Sequence, residues 1–152
     1  MKPCELLRKI FRKDRRTAKR KIGDIGEDIA VEYLKKNLYI IMERNWRYGK
    51  NEIDIIAKKN GTVAFIEVKT TAGDGAESYK IPSEAVTREK RRRIIECARV
   101  YVGRRKGLLK EDYYEDNRFD VIEVYLNRET PEINHIQDAF FAEKGNKRTW
   151  KT

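Results

Sequence analysis

The first half of the chain combines one helical pattern with short runs that are apolar almost throughout. Apolar residues recur at helical spacing over 22–37, which predicts an amphipathic helix. Asn37 tolerates the left-handed conformation that ends many helices, so we expect the helix to stop there. Residues 38–42 then predict a strand, and 44–51 predict a polar turn that carries aromatic side chains.

Two further apolar runs, 52–57 and 62–69, predict neighbouring strands. Asn60-Gly61 between them is typical of a tight hairpin, because both central positions of such a turn need positive φ. Strands that are apolar on both faces are usually covered on both faces. The pattern therefore predicts an α/β fold in which this hairpin lies inside a sheet, with helices above and below.

The second half of the chain predicts one more helix and two more strands. Ser83 can cap a helix that runs to about Val102, and Gly103 is expected to stop it. A glycine-containing loop is expected at 70–82 and a charged connection at 104–117. The two strands are expected at 118–126 and 133–136.

The composition limits the class of protein. With 152 residues, 39% of them hydrophobic and 39% charged, the chain has the length of one domain with a single core. No apolar run approaches the ~18 residues that cross a bilayer, and no apolar signal segment follows the N-terminus, so we expect a soluble, cytoplasmic protein. Cys4 and Cys97 form no paired zinc motif. A single histidine, His135, argues against zinc-hydrolase and Ser-His-Asp chemistry.

The net charge of +10 is concentrated at one end of the chain. Residues 1–21 hold ten basic and two acidic residues, a net +8, whereas 22–152 hold 25 basic and 23 acidic residues. A basic tail favours polyanions through counterion release. Two alternatives stay open. The tail can serve only to aid solubility, or it can bind an anionic membrane surface through its charges and the short apolar stripe at 6–11.

Charged side chains interrupt the two apolar strands at matching positions. The predicted hairpin places Asp54 opposite Glu67 and Glu52 opposite Lys69, and opposed residues point to the same side of a sheet. Like charges that are opposed in this way repel each other, and a divalent cation with hard oxygen ligands removes the repulsion. We therefore favour a Mg²⁺ or Mn²⁺ site, with a structural ion-pair network around Lys69 as the alternative.

These residues resemble the YraN-like bacterial proteins of the restriction-endonuclease-like superfamily with the PD-(D/E)XK motif, which includes the archaeal Holliday-junction resolvases. The core of the resemblance is Glu52-Ile53-Asp54-Ile55-Ile56-Ala57 followed by Phe65-Ile66-Glu67-Val68-Lys69. Further matches lie within roughly 22–142: Gly26-Glu27, Asn45, Arg47, Lys90, 118–121 and Ala139-Phe140. We divide the chain into a basic N-terminal tail or short helix, an endonuclease-like domain and a loose C-terminal tail, at 1–21, 22–142 and 143–152.

The resemblance implies a restriction-endonuclease-like mixed β-sheet flanked by α-helices, and metal-dependent hydrolysis of phosphodiester bonds in DNA. By this resemblance Asp54 and Glu67 hold Mg²⁺ (or Mn²⁺), and Glu27 from the first helix completes the metal site. Lys69 orients the attacking water or stabilises charge on the phosphate. The family often has an arginine where this chain has Thr71, and a glycine where it has Asn51.

Several residues are candidates for contacts with nucleic acid. Basic residues open the second predicted helix against its dipole, and phosphate contact is one explanation of this pattern, beside a solvated basic face. Aromatic side chains near the hairpin can stack on unpaired bases or pack against the core. The candidates for phosphate contact are Arg47, Thr71, Arg88, Lys90, Arg91 and Arg92.

Two functions from different classes remain. The first is a metal-dependent DNA endonuclease, with branched DNA as a candidate substrate and, by analogy with the resolvases, a homodimer as a candidate assembly. The second is a non-catalytic nucleic-acid-binding protein that keeps the nuclease fold. Neither requires a small-molecule cofactor, and neither depends on a membrane.

Overall fold

The computed structural model describes residues 15–72, 86–108, 116–126 and 130–142. They form two helices and five strands, in the order α1 (Arg15–Lys36), β1 (Ile40–Tyr48), β2 (Asn51–Lys59), β3 (Thr62–Thr71), α2 (Arg88–Leu108), β4 (Asp116–Tyr125) and β5 (Glu132–Phe140).

The strands form one mixed sheet whose spatial order follows the chain, β1-β2-β3-β4-β5. β3 and β4 are parallel and are connected through α2, whereas the other neighbours are antiparallel. This arrangement confirms the predicted α/β class and is consistent with a restriction-endonuclease-like fold. Of the predicted N-terminal tail, 1–21, only residues 15–21 are described. The predicted C-terminal tail, 143–152, lies outside the described residues.

Each face of the sheet is covered by one helix. Leu34 of α1 packs with Ile55 and Ile66 in one apolar cluster, while Ile94 of α2 packs with Phe65 in the other. The two central strands are therefore buried on both faces, as their continuous apolar pattern predicted. None of the described helices is long and apolar enough to span a membrane.

The predicted hairpin between β2 and β3 is confirmed. Asn60 and Gly61 both have positive φ, at 50° and 76°. The paired register runs from Lys59–Thr62 to Ile55–Ile66, as a two-residue loop requires.

Residues 44–48 continue a strand, so the prediction of a polar turn over 44–51 was wrong for most of that segment. β1 runs to Tyr48, and the chain turns at Gly49 and Lys50, with Gly49 at a φ of 59°. Trp46 is paired with Ile53 across the two strands and packs against the core under α2. Tertiary burial of the tryptophan ring therefore outweighs the polar character of its neighbours.

Both helices are longer than their patterns indicated. α1 begins at Arg15, seven residues before the predicted start, and the left-handed residue after it is Leu38 rather than Asn37. Asn37 instead donates its side-chain amide to the Tyr33 carbonyl at 2.8 Å. The helix ends in a Schellman motif, because the Leu38 N–H donates to the Lys35 carbonyl at 3.0 Å and the Tyr39 N–H donates to the Leu34 carbonyl at 2.9 Å.

α2 is capped by Thr87, whose hydroxyl accepts the Lys90 backbone N–H at 3.2 Å, whereas the predicted cap Ser83 lies outside the described residues. Gly103 does not stop α2, which continues to Leu108. The guanidinium of Arg104, just beyond the glycine, lies over the rings of Trp46 and Tyr48. Such contacts can offset the roughly 1 kcal/mol that a glycine costs inside a helix. β5 is also longer than the predicted strand 133–136.

Candidate metal and catalytic site

The site lies where β2 and β3 cease to pair. Beyond Ile55–Ile66, a side chain takes the place of a backbone partner, because Asp54 Oδ2 accepts the Val68 N–H at 2.7 Å. Asp54 and Glu67 therefore lie just past the last ladder pair, rather than directly opposed within it as predicted. The expected pairing of Glu52 with Lys69 was also wrong: Glu52 forms its ion pair with Arg47 on β1, at 3.1 Å.

Glu67 is a buried carboxylate held between two lysines. Its side chain is 4% exposed. Lys69 Nζ lies 2.8 Å from Oε1, and Lys90 Nζ from α2 lies 3.2 Å from Oε2. Among the described residues Oε2 accepts no hydrogen bond of good geometry, so its contact with Lys90 is an ion pair only. We call Asp54, Glu67, Lys69 and Lys90 the acid–lysine site.

Asp54 is held in an environment that disfavours its charge. Burial, followed by the negative charge of Glu67, raises the pKa of Asp54 to about 7. The bond from Val68 and the charge of Lys90 act in the opposite direction, and the charge of Glu27 adds a further increase. A carboxyl group with a pKa near neutrality, raised by a neighbouring carboxylate, is typical of a functional site more than of a structural ion pair.

Glu27 reaches this neighbourhood because α1 packs closely on β3. A Cβ on Gly26 would lie 1.8 Å from Thr70 Oγ1, so only glycine permits the contact. Burial raises the pKa of Glu27, and a hydrogen bond from Asn45 together with the charge of Arg44 opposes the increase. The nearest Arg44 nitrogen is 3.9 Å from Glu27 Oε2. Glu27 therefore lies beside the site with partners of its own.

The donor set fits a hard divalent cation. Carboxylate oxygens are the ligands that Mg²⁺ and Mn²⁺ prefer, and Mg²⁺ is commonly held by one or two carboxylates together with water and phosphate. A cation would lower the pKa of Asp54 and would coordinate Glu67 Oε2, which accepts no hydrogen bond from the described residues. Within the described ranges, however, no three acidic, histidine or cysteine side chains converge closely enough to form a ready cage. A cation at this site would therefore be held by one or two protein carboxylates, with water or phosphate as its remaining ligands.

The residues predicted to contact phosphate divide into two groups. Arg88 and Arg92 are exposed on α2, and Thr71 ends β3 two residues beyond Lys69. The others have partners within the protein. These are Arg47 with Glu52, Lys90 with Glu67, and Arg91, whose Nε donates to the Val86 carbonyl at 2.8 Å.

Sequence reasoning missed Glu123, a second buried carboxylate on the same face. In the parallel register of β3 and β4 it lies beside Lys69. Its Oε2 accepts hydrogen bonds from Tyr125 at 3.0 Å and Asn134 at 2.9 Å. The signal available was an acidic residue inside the apolar run 118–126, but the strand register was needed to locate it.

Asp120 is the centre of another buried network, in which Arg118 is its main partner. The guanidinium donates to both carboxylate oxygens, at 2.8 and 2.9 Å. His135 Nε2 lies 2.9 Å from Oδ2, and the Asp138 N–H donates to Oδ1 at 3.1 Å. We call Asp120, Arg118, His135 and Asp138 the Asp120 network.

The fold and this site define an α/β protein in which two acidic residues and Lys69 at one end of the central strands of a mixed five-stranded sheet meet Lys90 from α2. The model of the Uncharacterised protein family UPF0102 matches residues 26–124. The chain belongs to this family, as the resemblance to YraN-like proteins predicted.

The relatives cover most of the chain. A UPF0102 protein of Caldicellulosiruptor saccharolyticus is 44% identical over 124 residues, which are 80% of this chain and 98% of the relative. One of Clostridium botulinum is 46% identical over 121 residues, 78% and 93% of the two chains. One of Bacteroides fragilis is 40% identical over 120 residues, 79% and 92% of the two chains.

Proposed function

We propose that the protein is a metal-dependent nuclease of the PD-(D/E)XK superfamily that hydrolyses phosphodiester bonds in DNA. One observation carries the proposal: Asp54 and Glu67 are crowded together so that the pKa of Asp54 rises to about 7, directly beside two lysine ammonium groups. Ion pairs in a structural network usually lower the pKa of their carboxyl groups, whereas the pKa of Asp54 is raised to about 7 here despite the two lysines.

The residues of the site can divide the work of phosphodiester cleavage. When bound, a divalent cation supplies positive charge beside the phosphate and lowers the pKa of a water molecule. Asp54 and Glu67 would hold it, with Glu27 as a further acid from α1. Lys69 can keep its hydrogen bond to Glu67 and place its ammonium where negative charge develops on the phosphate.

Lys90 has a different part in this proposal. Its ammonium neutralises Glu67 Oε2, so it competes with a cation for that oxygen. If a cation neutralised this carboxylate, the Lys90 ammonium would be free to contact a phosphate oxygen. This exchange reconciles its ion pair with its predicted role in binding nucleic acid.

The test is cleavage of supercoiled plasmid and of a synthetic four-way junction with Mg²⁺, with Mn²⁺ and with EDTA. We expect cleavage with either metal, and its loss in Asp54→Ala and Lys69→Ala. Asp116→Ala and Lys36→Ala remove exposed residues of the same types and serve as matched controls. Undiminished cleavage by purified Asp54→Ala, or no cleavage by the wild type under any condition, would contradict the proposal.

A second function is favoured by the ion pairs of Glu67. Two lysines already balance this carboxylate, so the site is also consistent with a nucleic-acid-binding protein without turnover. That protein would bind DNA in EDTA, with an affinity that falls steeply with salt and survives Asp54→Ala. Metal-dependent cleavage by the wild type that is lost in Asp54→Ala would exclude it.

A further inference from the structure

The face of the sheet that α2 covers carries a second surface beside the acid–lysine site, and its side chains are suited to binding unpaired bases. α2 carries nine basic and two acidic residues, a net +7, although 22–152 as a whole are nearly neutral. The charge is therefore concentrated on one helix in the folded protein. Arg88, Arg92 and Arg99 follow one another at spacings of four and seven residues, which places them along one exposed helix face.

This basic helix leads from the acid–lysine site to a pair of stacked groups on β1 and α2. The Arg104 guanidinium lies 5.8 Å from the ring centroid of Tyr48 and 5.8 Å from that of Trp46. Trp46 is held from behind by Tyr101, at 5.2 Å in an edge-to-face contact. Tyr48 is 40% exposed, and Arg104 is exposed as well. We call Tyr48 and Arg104 the stacking platform.

The two exposed groups are suited to a flat, negatively charged ligand. A base stacks on the face of an aromatic ring or of a guanidinium without regard to its sequence, and the arginine adds charge for the backbone. Trp46, which packs edge-to-face on Tyr101, lies under the Arg104 guanidinium and supports it from the core side. Bases inside a duplex are stacked on one another, so only unpaired bases can use it.

We propose that the stacking platform binds an unpaired base of a DNA strand whose scissile phosphate lies at the acid–lysine site. The inference rests on the proposed function for its choice of DNA. The substrate class is then DNA with a single-stranded arm next to a duplex, such as a flap or an overhang. Lys90 and Arg104 are 14 residues apart, roughly 21 Å along a helix axis. The stacked base therefore lies no more than about six nucleotides from the scissile phosphate, because an unpaired strand is at least as extended as the roughly 3.4 Å per nucleotide of a duplex strand.

The experiment measures binding in EDTA, so that it does not depend on cleavage. Fluorescence anisotropy compares a blunt duplex with a duplex of the same length that carries a single-stranded arm. We expect Tyr48→Ala to weaken binding of the armed DNA roughly tenfold and binding of the blunt duplex less than about twofold. Arg104→Lys keeps the charge but loses the planar face, and should show the same selectivity to a smaller extent.

Phe141→Ala is the matched control, because Phe141 is a 73% exposed ring that follows β5, at the opposite edge of the sheet. It should change neither affinity. 2-Aminopurine placed at successive unpaired positions should be quenched most strongly within about six nucleotides of the duplex end, and Tyr48→Ala should remove the quenching. Equal losses on both DNAs, or an equal loss in Phe141→Ala, would overturn the platform. Selective binding without any cleavage would retain the platform and refute the nuclease.

Discussion

The acid–lysine site and the Asp120 network both bury carboxylates beside basic groups, yet they balance charge in opposite ways. Burial alone would raise the pKa of Asp120, but hydrogen bonds from His135 and Arg118 outweigh it and lower this pKa. For Asp54 burial and the charge of Glu67 dominate, and the pKa rises to about 7. The charge of Asp120 is therefore stabilised by its neighbours, whereas the charge of Asp54 is disfavoured by burial and by Glu67.

The difference indicates which of the two networks is structural. Both oxygens of Asp120 accept hydrogen bonds, and Arg118 also donates to the Tyr39 hydroxyl at 2.8 Å, so the network joins β4, β5 and the segment after α1. Groups of this kind stabilise a fold and need no ligand. A carboxyl group whose pKa is raised by burial and by a neighbouring carboxylate costs stability when it is ionised.

The largest effect should come from Asp120→Asn. The change leaves the mostly buried Arg118 guanidinium without its carboxylate, so we expect the free energy of unfolding to fall by about 3 kcal/mol. Urea denaturation at pH 7 measures it. Asp116→Asn, an exposed residue that begins the same strand, should stay within about 0.5 kcal/mol of the wild type. Similar values for the two variants would remove the contrast between the networks.

Gly26→Ala should have the next largest effect, because the new methyl group meets Thr70 at 1.8 Å and pushes α1 from β3. We expect a loss of roughly 2 kcal/mol. Gly23→Ala, in the same helix with no atom within 4 Å, should instead gain roughly 0.5–1 kcal/mol. Thermal unfolding followed by circular dichroism separates the two, and equal shifts would show that the close approach is unimportant.

Asp54→Asn should stabilise the protein at high pH, opposite in sign to Asp120→Asn. Between about pH 4 and 7 the Asp54 carboxyl group is protonated in the folded protein but ionised in the unfolded chain, because folding raises its pKa. Wild-type stability from this group is therefore present at low pH and is lost as the pH rises through 7. We expect a gain of roughly 2 kcal/mol for the variant at pH 8, reduced from the full linkage by solvent screening.

Urea titrations of both proteins at pH 4 and pH 8 measure this difference. At pH 4 the two curves should nearly coincide, because the wild-type carboxyl group is then protonated in the folded state. A variant less stable than the wild type at pH 8 would show that the Asp54 carboxylate is well compensated, as Asp120 is.

The smallest effect concerns Lys90→Gln, which removes the ammonium 3.2 Å from Glu67 Oε2. If Lys90 and a cation compete for this oxygen, Mg²⁺ affinity should rise about three- to tenfold in the variant. Isothermal titration calorimetry at pH 8 measures it. Arg88→Gln removes the same charge from the exposed start of α2 and should change the affinity less. Weaker Mg²⁺ binding in Lys90→Gln would mean that Lys90 supports the site instead of competing for it.

Much of the site could be predicted because its core is local in sequence. The turn chemistry of Asn60-Gly61 determines the register of β2 and β3, and this register brings Asp54 and Glu67 to neighbouring positions. The ladder ends at Ile55–Ile66, three pairs earlier than predicted, and the side chain of Asp54 accepts the backbone N–H of Val68 just beyond its end. No pattern of apolar and polar residues encodes such a replacement.

The sequence by itself determined the α/β class, the central hairpin and the acidic residues with Lys69 on it, because turn chemistry and apolar periodicity act over a few residues. Only the tertiary structure decided that Lys90 neutralises Glu67, that Gly26 admits Glu27 to the site and that Trp46 belongs to a strand. These contacts join residues far apart in the chain. They form only when both helices pack on the sheet, since burial and paired charge depend on neighbours that local sequence does not specify.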